Sequence, residues 1–298
     1  MGVKPKTSNK MKKSLLILLA GLALAACSKP EPKVMGRFVP ERSDDFAWEN
    51  EYVAYRLYGE TLETANPGAL VSPGFDVWMK DTAALIMNTR YKDELENNIS
   101  YHKYYNGAKD CYKVGVSLGA GASAPLIDGQ FAFAPTNYRS YDLLTGEYGT
   151  DSVAFVLHYP EWEAGGYKIT LDKKIIVRAG THFCTAEDTW TFSGPGETLS
   201  IAAGLVLHEV TDTLIGPDRL AVWEHASDMQ VEPEDGMTGL AVILPGADSV
   251  YVSPELGHTI AVKAIRSGEK LTYQFGSCWS KANVPDAATW FNLVENEK

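Results

Sequence analysis

The sequence is poor in cysteine, in basic residues and in long apolar runs. Its 298 residues include four cysteines, and 27 basic against 38 acidic side chains give a formal net charge of −11. Because nucleic-acid binding needs a basic surface, this balance argues against DNA or RNA as a partner. Cys111, Cys184 and Cys278 are too few and too widely spaced for a disulfide framework or a zinc knuckle, so we expect three buried thiols.

Two sequence patterns of cofactor and metal sites are also missing. The chain contains no His-Glu-x-x-His pair, and its glycine-rich segment 115–124 lacks the Lys-Ser/Thr ending of a phosphate-binding loop. Strand patterns do not alternate with long helical ones, which disfavours a doubly wound nucleotide-binding fold. We therefore expect neither a metal nor a cofactor.

The longest apolar run lies near the N-terminus and has the form of a secretion signal. Met11-Lys12-Lys13 precedes the apolar stretch 15–23, which is too short to span a bilayer core of about 30 Å. Leu24-Ala25-Ala26-Cys27 then resembles the bacterial lipobox, in which the cysteine is acylated. We predict a signal peptide over 1–26 with Met11 as the true start, a lipidated tether over 27–33, and a lipid-anchored protein of the cell envelope, on the periplasmic or the surface side. An uncleaved anchor is the alternative.

From residue 34 onward, Gly and Pro divide the chain into segments with alternating apolar side chains. Segments 151–162 and 167–178 alternate in this way until Lys173 interrupts the second, and the Gly-rich stretch between them predicts a hairpin. Helical patterns occur over 81–97 and directly after Pro285. The sequence thus predicts an all-β fold for 34–298, a large antiparallel β-sandwich with one or two short helices.

Two stretches early in this domain carry side chains typical of a sugar site. Trp48 and Glu49 follow two further acids, and an indole stacks on sugar C–H groups while carboxylates accept hydroxyl protons. The alternative is a charged strand entry with Trp48 in the core. His102 lies in the polar, aromatic stretch 101–107, where it would exchange a proton near neutral pH. Its alternative is an ordinary exposed loop histidine.

Three later stretches place an aromatic side chain or a histidine on a predicted strand or at its end. Trp223 and Glu224 share one predicted strand, His258 begins another, and Trp279 and Lys281 end a third. Because the ends of curved strands can converge, we expect these side chains to meet the two earlier stretches in one cleft.

The strings Asp-Asp-Phe-Ala-Trp-Glu-Asn at 44–50 and Ala-Tyr-Arg-Leu-Tyr-Gly at 54–59 resemble an uncharacterised family of Bacteroidota lipoproteins, domain of unknown function 4861. Strings at 112–115, 223–224 and 275–281 suit the same family. The resemblance implies a fold similar to the galactose-mutarotase supersandwich. It also implies a setting among genes for the utilisation of pectin-type polysaccharides, often near unsaturated-uronate hydrolases. It implies no catalytic residues, because none are settled for the family.

Together these features predict a lipoprotein that acts on uronate-containing, pectin-type saccharides by cofactor-free acid–base chemistry. Mutarotation, ring opening and β-elimination each need a base and an acid on opposite sides of a sugar carbon or ring oxygen. We predict His102 in one of these roles, with Glu49 or Glu224 as its partner. Arg56 and Lys113 would hold a substrate carboxylate. The other predicted saccharide contacts are the three tryptophans and two basic side chains Trp48, Trp223, Trp279, His258 and Lys281.

Two other functions fit the same residues. A non-catalytic glycan-binding lipoprotein would use the aromatic rings as a platform and would need no acid–base pair. A structural envelope protein with an acidic surface would bind no glycan.

Overall fold

Strands dominate the regular structure, as the alternating patterns predict. The computed structural model describes residues 1–3, 30–227 and 232–298, and these hold 19 strands and two α-helices. All of them belong to the unit Glu31–Lys298, which is separate from the unit Met1–Pro30. The strands are β1 (Val34–Val39), β2 (Asp45–Glu49), β3 (Ala54–Leu57), β4 (Asp76–Lys80), β5 (Ala108–Lys109), β6 (Ala120–Ile127), β7 (Gln130–Phe131), β8 (Ser140–Leu143), β9 (Tyr148–Gly149), β10 (Ser152–Ala164), β11 (Tyr167–Arg178), β12 (Phe183–Ser193), β13 (Thr198–Val206), β14 (Val210–Ile215), β15 (Arg219–His225), β16 (Met237–Ile243), β17 (Ser249–Ser253), β18 (His258–Arg266) and β19 (Lys270–Trp279).

The strands form three antiparallel sheets. Their strand orders are β5-β4-β3-β2-β1-β9, β14-β15-β16-β19-β12-β11-β10-β8 and β17-β18-β13-β6-β7. Phe75 forms a bridge with Gly119, and its carbonyl oxygen accepts a hydrogen bond from the Ala120 N–H at 2.8 Å. This link joins the six- and five-stranded sheets side by side.

Aromatic rings fill the space between the six- and eight-stranded sheets. Phe155 of the eight-stranded sheet lies 4.1 Å from Phe46 between ring centroids, and Phe275 lies 4.5 Å from Phe75. All four side chains are fully buried. Burial of large rings from both inner faces is the main favourable contribution to such a fold. The predicted all-β sandwich is thereby confirmed.

The predicted hairpin is present as β10 and β11, which Gly165 and Gly166 connect. A register shift between Tyr159 and Trp162 places both of these side chains in the core, although they are three residues apart. Pro160 lies inside this shift, where a bulge tolerates a residue without an N–H.

Lys173 occupies an inward position of β11, where the sequence pattern indicated an interruption. It pairs in register with Asp188 of β12, neither side chain has exposed surface, and its Nζ donates to Oδ2 at 2.5 Å. The Ser123 hydroxyl donates to the same carboxylate. The alternation therefore continues through Lys173, because the ion pair compensates for the burial of its charge.

Two short helices are present, α1 (Met87–Asn97) and α2 (Ala287–Asn296). Helix α2 begins where the sequence predicts, and the Asp286 carboxylate caps it by accepting the Thr289 N–H at 2.8 Å. Helix α1 begins six residues later than predicted, because residues 81–86 form an irregular segment ahead of it. Within the described residues, neither helix is long and apolar enough to cross a membrane. The three predicted buried thiols are confirmed: Cys111, Cys184 and Cys278.

Asp188→Leu should lower the free energy of unfolding by about 3–5 kcal/mol, because it leaves the Lys173 ammonium buried without a counter-charge. The double variant Lys173→Met/Asp188→Leu should recover most of this loss, since both charges are then removed at similar volume. Urea denaturation of the wild type, the two single variants and the double variant measures the coupling energy. A double variant no more stable than Asp188→Leu would contradict this account.

Candidate functional site

A cleft of about 410 Å³ lies where the ends of the six- and eight-stranded sheets meet. Its walls are the β2–β3 turn at 51–52, the segment 80–83 at the end of β4, His182 ahead of β12, and the segment 279–283 at the end of β19. A second cavity of about 420 Å³ adjoins it at Thr82, which lines both. Volumes of this size are typical of sites for small molecules.

Two buried polar side chains fix the walls of this cleft. Lys80 Nζ donates to Glu49 Oε2 at 3.0 Å and to the carbonyl oxygen of Asn50 at 2.5 Å. The Asn50 amide donates in turn to the carbonyl oxygens of Arg178 at 2.6 Å and Thr181 at 2.9 Å. The β2–β3 turn, the end of β4 and the approach to β12 are therefore held together by direct hydrogen bonds.

His182 is the histidine of this cleft. Its Nδ1 lies 3.0 Å from the carbonyl oxygen of Ser277, and because a carbonyl only accepts, Nδ1 carries the proton. Burial lowers the pKa of His182 below its ordinary value of 6.5, so the ring is neutral at pH 7. The Tyr52 ring packs against it with 4.5 Å between centroids. The lone pair on Nε2 is thus free of a described hydrogen bond and available to a ligand.

Carboxylates and a cation complete the lining. Asp81 accepts a hydrogen bond from the Tyr104 hydroxyl at 2.9 Å, and the Tyr104 ring is 47% exposed. Glu51 Oε1 accepts the Gly180 N–H at 2.7 Å, while its Oε2 is buried with no hydrogen-bond partner among the described residues. The exposed Lys281 ammonium lies 4.4 Å from the centroid of the Tyr104 ring.

Two of the predicted site residues, Trp279 and Lys281, line this cleft, and Glu49 supports its wall through Lys80. Trp279 is itself almost completely buried and donates from Nε1 to the carbonyl oxygen of Asp235 at 2.6 Å. Trp48 lies in the core, where its ring stacks on Tyr55. The cleft therefore brings together only part of the predicted set.

Arg56 and His102 belong to a buried charge cluster. The Arg56 guanidinium donates to Asp76 at 2.6 Å and to Asp110 at 2.8 Å, and lies 3.8 Å from Asp45. His102 is partly exposed, and its Nδ1 lies 3.2 Å from the carbonyl oxygen of Asp110. Three acids around one guanidinium explain why Arg56 is buried.

Glu224, Lys113 and His208 form a third group. Glu224 is fully buried, with Oε1 2.9 Å from His208 Nδ1, and the carbonyl oxygen of Lys113 lies 2.8 Å from His208 Nε2. Trp223 points to the opposite face of β15 and packs beneath α2 in a cluster with Trp290. Glu49, His102 and Glu224 thus have three separate sets of partners.

His258 has a structural arrangement. Its Nε2 accepts the Leu118 N–H at 3.1 Å, and its Nδ1 donates to the carbonyl oxygen of Leu256 at 2.5 Å. Ser117 lies nearby in the segment 115–119, whose Gly-x-Ser-x-Gly spacing is that of a nucleophile elbow. Its hydroxyl is buried and donates to the carbonyl oxygen of Val114 at 2.5 Å, and β6 rather than a helix follows. Ser117 is therefore a turn residue and not a nucleophile.

Sequence reasoning missed most of the cleft. Tyr104 lies two residues beyond His102 in the same aromatic stretch, and Asp81 was assigned to a helix that begins later. His182 follows Gly180 and Thr181 directly before a strand, which is the same strand-end signal that identified Trp279. Glu51 lies two residues after Glu49. It is the cleft carboxylate whose Oε2 has no hydrogen-bond partner among the described residues.

The chain matches the family model "Domain of unknown function (DUF4861)" over residues 21–298. It belongs to this family. The DUF4861 resemblance predicted from the sequence is thereby confirmed. The chain is also 29% identical over 273 residues to "Uncharacterized protein P7" of Formosa agariphila, which covers 87% of this chain and 65% of that protein. The chain thus spans less than two thirds of the length of this curated relative.

Two solved structures are distant matches to this DUF4861 chain. A protein from the human microbiome described as a kojibiose phosphorylase has a TM-score of 0.43 at 8% identity, over 88% of this chain and 35% of its own. The GH36 alpha-galactosidase AgaA of Geobacillus stearothermophilus has a TM-score of 0.35 at 9% identity, over 79% of this chain and 41% of its own. At these values the likeness says nothing about substrate or reaction.

The pKa of Asp45, a neighbour of Arg56, gives a test of the buried charge cluster. Burial raises this pKa from 3.8 to about 6, although Arg42 and Arg56 act to lower it. The folded state therefore binds this proton more tightly than the unfolded state, so its contribution to stability is present below pH 4 and is lost as the pH rises through 6. The stability of the wild type relative to Asp45→Asn should fall by roughly 2 kcal/mol between pH 4 and pH 7.

Denaturant melts of both proteins across this pH range provide the measurement. Asp151→Asn, which removes an exposed carboxylate, is measured in parallel as the control. A difference between wild type and Asp45→Asn that stays constant over the range would show that folding does not raise the pKa of Asp45.

Proposed function

We propose that the cleft at the end of β19 binds an acidic saccharide and catalyses a proton transfer on it, with His182 as the base. The observation that carries this proposal is the fixed, neutral tautomer of His182 in a cleft that also contains a cation and two carboxylates. A base must be unprotonated and must present its lone pair to the substrate. The bond from Nδ1 to Ser277 and the burial of the ring meet both requirements.

The remaining lining suits a sugar with a carboxylate. Lys281 is exposed beside Tyr104, so its ammonium can pair with a uronate carboxylate while the tyrosine ring contacts C–H groups. Asp81 and Glu51 offer acceptor oxygens for sugar hydroxyls. The family resemblance to proteins of pectin utilisation supports the same substrate class.

Two reactions on a uronate use this arrangement. In β-elimination the base removes the proton on the carbon next to the carboxylate, and a nearby cation such as Lys281 stabilises the enolate that forms. The C–O bond at the β-carbon then breaks as the double bond forms, and the departing oxygen takes a proton from solvent. In mutarotation the base takes the proton of the anomeric hydroxyl while the ring oxygen takes a proton from solvent, so the bond between the anomeric carbon and the ring oxygen breaks and the open-chain aldehyde forms. The proposal assigns the base to His182 rather than to the predicted His102, because His182 lines the cleft and His102 contacts Asp110 of the Arg56 cluster.

Incubation with saturated and unsaturated pectin oligosaccharides, followed by proton NMR, tests this function. The wild type should convert at least one of them, and His182→Gln should lower turnover by a factor of about 100 or more while binding changes little. Lys281→Met should weaken binding of uronates and leave neutral analogues unaffected. The control is His158→Gln. His158 of β10 contacts the side chains of Asp142 and Asp172, and it does not line the cleft.

Each outcome decides between the candidate functions. Binding without any change in the sugar after long incubation identifies a glycan-binding protein and rejects catalysis. No binding of charged or neutral oligosaccharides rejects the saccharide site altogether. Full activity in His182→Gln removes this histidine from the mechanism.

We further propose that the protein is a lipoprotein of the cell envelope, acylated at Cys27, which lies outside the described residues. Metabolic labelling with a radioactive fatty acid should mark the wild type in the membrane fraction, and Cys27→Ser should carry no label. Because the other three cysteines are buried, they offer no second site for acylation in the folded protein. Label retained by Cys27→Ser would contradict the assignment.

A further inference from the structure

Exposed apolar side chains concentrate at one edge of the sandwich. Tyr141 and Leu143 of β8, together with Leu144 and Tyr148, are between 37% and 52% exposed. We call these four residues the edge patch. Phe38 of β1 stacks on Tyr141 with 5.1 Å between ring centroids, so the patch is continuous with the first strand of the domain.

The chain enters the domain beside this patch. The Lys33 N–H donates to the carbonyl oxygen of Gly149 at 2.8 Å, and Met35 pairs with Tyr148 in the β1–β9 register. Cys27 and Lys33 are six residues apart, and a chain of that length spans at most about 22 Å. Acyl chains on Cys27 would therefore hold the edge patch within reach of the lipid headgroups.

We propose that the edge patch docks on the lipid surface to which the protein is anchored. This inference rests on the proposed acylation of Cys27. Tyrosine rings favour the depth of the headgroups because they combine an apolar ring with a polar hydroxyl, and the leucines add apolar area. The exposed Asp142 and Glu147 flank the patch, so attraction to anionic lipid is not the driving force and zwitterionic lipid suffices.

Docking in this way also orients the cleft. Ser152 pairs with Arg178, and the Ala179 N–H donates to the carbonyl oxygen of Asp151 at 2.8 Å, immediately after β9. The next residue, Gly180, donates to Glu51 in the wall of the cleft. The cleft therefore lies at the same end of the sandwich as the entry of the chain, and docking places it close to the membrane.

A fluorophore at position 144 tests the docking. The variant Leu144→Cys is labelled with a polarity-sensitive dye in the acylated full-length protein, where the other thiols are buried and Cys27 is blocked. The protein is then placed on phosphatidylcholine vesicles with brominated acyl chains, which quench dyes at or below the headgroups. The matched control is Val252→Cys on β17, at an exposed position of the five-stranded sheet (43% for the native valine).

Fluorescence at position 144 should fall by at least about half on brominated vesicles, while position 252 should change by less than about a tenth. Adding Leu143→Asp to the Leu144→Cys protein should abolish the quenching without releasing the protein from the vesicles. Flotation of the vesicles and the intact mass of the protein report the lipid anchor independently.

The outcomes separate docking from anchoring. Acylated, vesicle-bound protein that shows no quenching at 144 overturns the docking and leaves the anchor intact. Protein that lacks the acyl mass overturns the anchor, and the docking with it. Equal quenching at both positions shows that no single face is bound. A dye at 144 that is already shielded without lipid shows that protein covers the edge patch. Light scattering then identifies the cover: the protein's own N-terminal segment if the protein is a monomer, or a second copy if it is a dimer.

Discussion

The carboxylate of Glu49 has no exposed surface, and a polar group buried in this way needs hydrogen-bond donors. It has three: the Lys80 ammonium and the backbone N–H groups of Ile86 and Met87 at the start of α1. One side chain of β2 thereby joins β4 to a helix. Lys80 also donates to the carbonyl oxygen of Asn50, and the Asn50 side-chain amide donates to carbonyl oxygens in the approach to β12. The shape of the cleft depends on this chain of bonds, because three of its four walls are tied to it.

Ionisable side chains of this protein separate into two classes by their partners. In the core, Arg56 lies among three aspartates and Lys173 pairs with Asp188, because an unpaired charge in a low-dielectric interior is costly. In the cleft, His182 Nε2 has no hydrogen bond to any residue that the structure describes, and Lys281 remains exposed to solvent. A binding site needs hydrogen-bonding groups that remain available to a ligand. This availability distinguishes the two cleft residues from the buried clusters.

Periodicity predicted the strands and the hairpin because inward and outward positions alternate along any half-buried strand. It indicated an interruption at Lys173, since a lysine reads as a surface residue until its partner on the next strand is known. It also placed the start of α1 too early. Residues 81–86 have the apolar spacing of a helix, but in the structure they form an irregular segment that lines the cleft and the adjoining cavity. Trp279 was identified from its position at the end of a strand, and His182, which lies directly before the start of one, was overlooked.

The sequence alone determined the alternating strands, the three buried thiols, the family and the short apolar stretch at the N-terminus, because each depends on local composition or on spacing along the chain. Only the tertiary structure decided which ionisable side chains meet. His182 and Lys281 are almost one hundred residues apart, and they share a cleft because the sheets bring the β12 approach and the end of β19 together. The same pairing of distant strands buries Arg56 and Glu224, whose charges are matched by partners that no local pattern shows.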